Sequence, residues 1–183
     1  MNGYSRGLEL FLELKKKENS VCSGWLSVSW LKSERILTER AGLDSPVPVN
    51  EKFYPGQDRR YALSLVFDLK LSAKWFFSAQ FDYIAGAPYT PILGEEVTYS
   101  QGYMRKTIYG PYNSERLPDF HKLDVKLDYR TVVLGLDASI FLQVDNVYNH
   151  KNVMEYDYNY DYTEKKPRTF LGIIPLLGVE FSW

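Results

Sequence analysis

Asp124 and Asp128 stand four residues apart on an alternating segment with His121 just before them, and two carboxylates beside an imidazole are parts from which a general acid and base could be built. Nothing else in the chain completes such a site. There is no nucleophile elbow, no metal-ligand spacing and no glycine-rich phosphate loop. His121 and His150 are the only histidines, and Cys22 is the only cysteine, which rules out a histidine-rich metal centre, a CxxC motif and an internal disulfide. Cys22 reads as a bystander near a turn. Glu155, Asp157 and Asp161 share an acidic face that is more simply a solvated strand face than a cation site. No catalytic residue, metal ligand or cofactor is therefore expected, and the chemistry that remains is recognition. Tyr89, Tyr103, Tyr109, Tyr112 and Arg116 fall in one loop-rich segment, where aromatic rings can stack and an arginine can pair with an anionic group. Tyr89, Arg116, Pro88, Asn113 and Pro118 serve equally to shape the base of that loop, and this anchoring role is preferred because they sit beside strand ends.

The elements that must hold these residues are strands. In the last seven residues Leu177, Val179, Phe181 and Trp183 share one face and Gly178, Glu180 and Ser182 the other, the period-two pattern of a half-apolar strand. The same alternation gives Leu8 to Leu14, then Leu26, Val28 and Trp30, then Tyr61 to Leu69, then Trp75 to Tyr83. It continues in Leu123 to Tyr129 and, after a turn at Arg130-Thr131-Val132-Val133, in Leu134 to Val144. Opposite Leu123, Val125 and Leu127 stand Lys122, Asp124, Lys126 and Asp128. Buried in a core, each of those charges would be costly unless paired; against a wet lumen or bulk water the cost vanishes. Residues 34 to 59 and 86 to 118 lose the alternation and read as long loops. Residues 153 to 162 put Met154, Tyr156, Tyr158, Tyr160 and Tyr162 on one face, a stripe too polar for hydrocarbon, which reads as a hairpin standing clear of a membrane.

A net charge of -1 argues against a nucleic acid partner held by a basic face. No run approaches the roughly 18 apolar residues of a membrane helix, and the start lacks the charged and apolar regions of a signal peptide. Membrane β-barrels show neither feature in their strands, because lumen-facing residues dilute each one. With the last strand ending in the periplasm, the alternation of direction places every short turn on the periplasmic side and both long loops outside, as barrels require. The fold expected is all-β, an antiparallel up-and-down transmembrane barrel segment of about seven membrane strands, with an external start that implies preceding strands. Taking 153 to 162 as an eighth membrane strand gives the alternative, a self-contained small barrel. A β-sandwich binding or adhesion module is a further alternative.

The ordered motifs Tyr4-Ser5-Arg6-Gly7-Leu8-Glu9-Leu10, Gly24-Trp25, Gly86-Ala87-Pro88-Tyr89-Thr90-Pro91, Tyr112 to Asp124 and Val144-Asp145-Asn146-Val147-Tyr148-Asn149 run to the terminal Gly178-Val179-Glu180-Phe181-Ser182-Trp183. Together they resemble successive landmarks of TonB-dependent outer-membrane receptors. The resemblance implies that residues 1–183 are the C-terminal portion of a barrel of about 22 strands, without its plug domain, its TonB-contacting box or its signal peptide. It implies a place in the bacterial outer membrane, with lipid, the missing N-terminal strands and the plug as partners. TonB would act only through the intact receptor, on a ligand such as a ferric siderophore, haem, cobalamin or an oligosaccharide. The terminal strand, with Gly178, Val179, Phe181 and Trp183, resembles the signal read by the barrel-assembly machinery, though Trp stands where Phe is commoner.

Overall fold

The computed structural model describes residues 2–15, 20–38, 47–99 and 104–182, and every regular element among them is a β-strand. Fourteen strands follow in order: β1 Asn2–Leu14, β2 Cys22–Ile36, β3 Lys52–Phe53, β4 Tyr61–Lys70, β5 Trp75–Ile84, β6 Pro88–Tyr89 and β7 Ile92–Thr98. The rest are β8 Met104–Tyr109, β9 Glu115–Arg116, β10 Phe120–Val133, β11 Leu136–Asp145, β12 Val153–Tyr158, β13 Lys165–Thr169 and β14 Ile174–Ser182. Seven long strands form one open antiparallel sheet in the order β1-β2-β4-β5-β10-β11-β14, with β3 paired to the far end of β2. Seven antiparallel neighbours leave β1 and β14 running in the same direction at the two edges. Each of the seven overlaps one expected from alternation, several of them running on beyond it.

Register turns the alternation of single strands into two continuous faces. The pairs Val28 with Leu63, Leu63 with Tyr83, Leu65 with Phe81, Phe81 with Leu123, and Leu127 with Leu142 hold the apolar side together, and Leu142 pairs on to Leu177. One step along, Ser64 meets Asp82, Asp82 meets Lys122, Lys126 meets Gln143 and Ser139 meets Glu180. The exposure of these faces is inverted relative to a water-soluble domain. Leu65 and Leu142, in the middle of the sheet, are 44% and 49% exposed, whereas the side chains of Asp124 and Asp128 on the polar side are 14% exposed. Among the described residues the buried hydrophobics are only Phe53, Ala85 and Ala138, so no layer lies over the leucines.

The polar side is a wall of short hydrogen bonds. Ser64 donates to Asp82 at 2.7 Å, Ser78 to Asp68 at 2.6 Å and Gln143 to Asp145 at 2.7 Å, while Lys126 pairs with Asp128 at 3.1 Å and lies 4.3 Å over the Phe141 ring. Phe141 covers Gly178 across the strand pair, and a Cβ at Gly178 would stand 2.4 Å from that ring. Strands are also staggered. The row Cys22, Leu69, Phe77, Leu127, Leu142, Leu177 leaves β2 at its first residue and crosses β10 well short of its end at Val133, the diagonal slip of a tilted, sheared sheet.

Connections divide by length. At one end β4 turns into β5 through Leu71 to Lys74, where Ser72 Oγ accepts from the Lys74 and Trp75 amides. At the same end β10 turns into β11 through Leu134 and Gly135, both with positive φ (54° and 83°), the two-residue turn whose twist matches the strands. The expected turn at residues 130 to 133 is corrected by this: those residues still pair, Val133 with Leu136, because Leu134 accepts the left-handed conformation and glycine follows it. The other end carries the connections 37–60, 85–119 and 146–173. Two expectations of structureless loops fail there. β2 runs on to Ile36 and takes β3 as a partner, its last turns polar and hence without an apolar stripe. Within the second, β7 and β8 pair as an antiparallel hairpin, whose alternation is weak because neither face is fully covered. β12 pairs with β13 as a separate hairpin, as expected, and is not an eighth strand of the sheet.

Candidate functional site

Two of the long connections, 37–60 and 85–119, meet in a tied corner built on Asp58, which is completely buried. Its Oδ1 accepts the Ser33 amide at 2.7 Å and its Oδ2 accepts Arg60 Nε at 3.0 Å and an Arg116 guanidinium nitrogen. The other terminal nitrogen of Arg116 donates to the carbonyls of Asp58 (2.7 Å) and Gly86 (2.9 Å). Burial pushes the Asp58 carboxyl up, but the Ser33 amide and the two guanidinium groups outweigh it and hold it below the usual range. Arg116 thus joins the 54–60 segment to the base of the 85–119 connection. Asn113, at positive φ, donates to the Tyr54 carbonyl at 2.5 Å, and Tyr112 packs edge-on against Phe53 at 5.1 Å.

A second group lies further out. Lys165 donates to Tyr89 Oη at 2.6 Å and sits 3.9 Å over the Tyr156 ring, while Tyr89 also donates to Glu115. Arg105 lies 3.5 Å over Tyr160 and donates to its carbonyl at 2.8 Å, and Thr107 donates to Tyr162 Oη at 3.1 Å. The tyrosine stripe of β12 and its turn therefore holds the β7–β8 and β12–β13 hairpins together.

The third group is a cleft of about 520 Å³ on the polar side of the sheet, at the end of the long connections. Ile84, Leu117, Phe120, Met154, Phe170 and Ile174 give it an apolar lining, with Phe120 and Phe170 edge-to-face at 5.8 Å. Its polar rim is Arg59, Lys122, Asp145, Asn146 and Asn152. Asn152 is spent on the backbone of His121, accepting its amide and donating to its carbonyl at 2.9 Å each. Asn146 closes on both backbone groups of His150 in the same way, and its own amide donates to Asp124 Oδ1 at 2.8 Å.

The residues singled out from sequence do not converge. Tyr112 and Arg116 belong to the tied corner, Tyr89 to the hairpin contact, and Tyr109 ends β8 opposite Ile92; none of them lines the cleft. Tyr103 and Trp183 lie outside the described residues, while Gly178, Val179 and Phe181 sit on the edge strand β14. Asp124 and Asp128 are committed within the wall, to Lys122 and Asn146 in one case and to Lys126 and Ser139 in the other. His121 points to the other face, stacked 3.8 Å from His150. No cluster of three or more potential metal ligands occurs among the described residues. The sequence carries one signal of the cleft. Ile84, Phe120 and Ile174 are apolar at positions whose parity elsewhere carries Asp, Lys and Ser.

No protein-family model, curated protein or solved structure matches the chain.

Proposed function

We propose that this chain is a wall segment of an outer-membrane β-barrel of the TonB-dependent receptor type, non-catalytic, with its leucine face toward lipid and its polar face toward the lumen. The observation that carries the reading is the apolar face of seven registered strands, exposed at its centre, beside a polar face that is hydrogen-bonded and better covered. In water such a face is far larger than the patches soluble proteins leave open; in a bilayer it is the only face that needs no cover. Aromatic pairs border it at both ends, Trp30 with Tyr61 on one side and Trp75 with Tyr129 on the other, at the positions of interfacial girdles. The short turns then fall in the periplasm and the long connections outside, where they help capture a ligand such as a ferric siderophore, haem, cobalamin or an oligosaccharide for the intact receptor. Its partners in this reading are outer-membrane lipid, the assembly machinery that reads the terminal strand, the remaining strands and plug, and TonB through the complete receptor. A self-contained small barrel is disfavoured because β1 and β14 run in parallel and cannot close an antiparallel ladder. A sandwich would need a second layer over the leucines.

Single-tryptophan variants in bilayers containing brominated lipid test the reading. Trp30 and Trp75, on the apolar face, should be quenched strongly, and Trp25, on the polar face, much less. Equal quenching of all three, or none, would sink it.

A further inference from the structure

We propose that the cleft beneath the long connections binds a small ligand with a flat apolar body and a single carboxylate, and that Arg59 is the residue that receives the carboxylate. The body is specified by the floor. At the lower positions of the same strands the polar side carries Lys122, Asp124 and Asp82, yet where the strands emerge it carries Phe120, Ile84 and Ile174, roofed by Phe170, Met154 and Leu117. A hydrated wall has no use for an apolar floor there. Edge-to-face phenyl groups favour a third ring over an aliphatic chain.

The charge is specified by elimination within the rim. Asn146 and Asn152 have both ends of their amides occupied by backbone, Asp145 accepts from Gln143, and Lys122 is paired with Asp124. Arg59 alone is exposed with no hydrogen bond or ion pair to its guanidinium among the described residues. A guanidinium presents two parallel donors that match a carboxylate. The volume of about 520 Å³ lies in the range of small-molecule sites, so a compact ligand is favoured over a protein segment. The inference deepens the barrel-wall reading and rests on it for the side of the membrane the cleft faces; binding itself is a property of the cleft.

The probes are 2-naphthoate and its neutral isostere 2-naphthamide, titrated by saturation-transfer NMR against the full chain in phosphatidylcholine nanodiscs, with empty nanodiscs subtracted. Naphthoate should bind in preference to naphthamide. Arg59→Gln should weaken naphthoate by roughly tenfold and leave naphthamide unchanged, Arg59→Lys should fall between, and Met154→Trp should weaken both by filling the cleft. Because the Arg59 side chain bonds to no other group among the described residues, its substitution should leave folding intact. Equal binding of the two probes, indifference of naphthoate to Arg59→Gln, or no binding at all would overturn the assignment, the last leaving the cleft to a chain segment. Naphthoate binding with unquenched Trp30 and Trp75 would sink the membrane reading and spare the cleft. Quenching without naphthoate binding would do the reverse.

Discussion

At the scale of single residues, the acids of the tied corner behave as fasteners. Asp58 holds two guanidinium groups and an amide, and Glu34 on the neighbouring strand end, beyond the apolar band, is hydrogen-bonded by Lys32 and Tyr4. Lys32, and then Tyr4, bring the Glu34 carboxyl from the ordinary 4.5 to about 2 despite its burial. Both acids have folded-state values below their unfolded ones. Their contribution is therefore complete above the unfolded pKa and fades as the pH falls through the folded one. Amide protection around Ser33 and Asn113, corrected for intrinsic exchange, should be level from neutrality to about pH 5 and should decline from there toward pH 2. Asp58→Asn should cost about 2 kcal/mol at neutral pH, less than a fully buried pair because both arginines keep some contact with water. What the sequence disclosed at this scale was uneven. The anchoring role preferred for Arg116 and Asn113 agrees with their bonds, since both sit next to strand ends. Arg59 was invisible, because what distinguishes it is the lack of a partner among the described residues, and partners are set by which loops meet.

Among elements, seven strands were legible because each alternates with period two and neighbouring stripes coincide once paired. The β7–β8 hairpin was not, because a hairpin with no fully covered face is under little pressure to alternate. The Leu134-Gly135 turn was placed too early, since leucine is a poor advertisement for positive φ. The faces predict a sharp asymmetry under substitution. Leu65→Arg, near the middle of the apolar face, should cost about 2–4 kcal/mol in a bilayer. Gln80→Lys, on the polar face between Asp82 and Asp124, should stay within roughly 0.5 kcal/mol of neutral. Urea unfolding in lipid vesicles reads both; similar costs for the two would mean that the faces have been misassigned.

For the molecule as a whole, an apolar face and two unpaired edges make the isolated chain a poor citizen of water. In buffer without detergent, sedimentation velocity should show a broad distribution of associated species rather than a monomer. A single sharp monomer boundary would count heavily against a wall that needs lipid and neighbouring strands. The same two edges carry a further consequence, for how such a sheet can change over generations. Copying one hairpin of such a sheet would add two strands at a time. Starting from seven, every such duplication leaves an odd number, so the edges still point the same way. No series of hairpin duplications makes this sheet self-sufficient. Only the gain of an odd number of strands would, and that would carry one end of the chain across to the opposite rim.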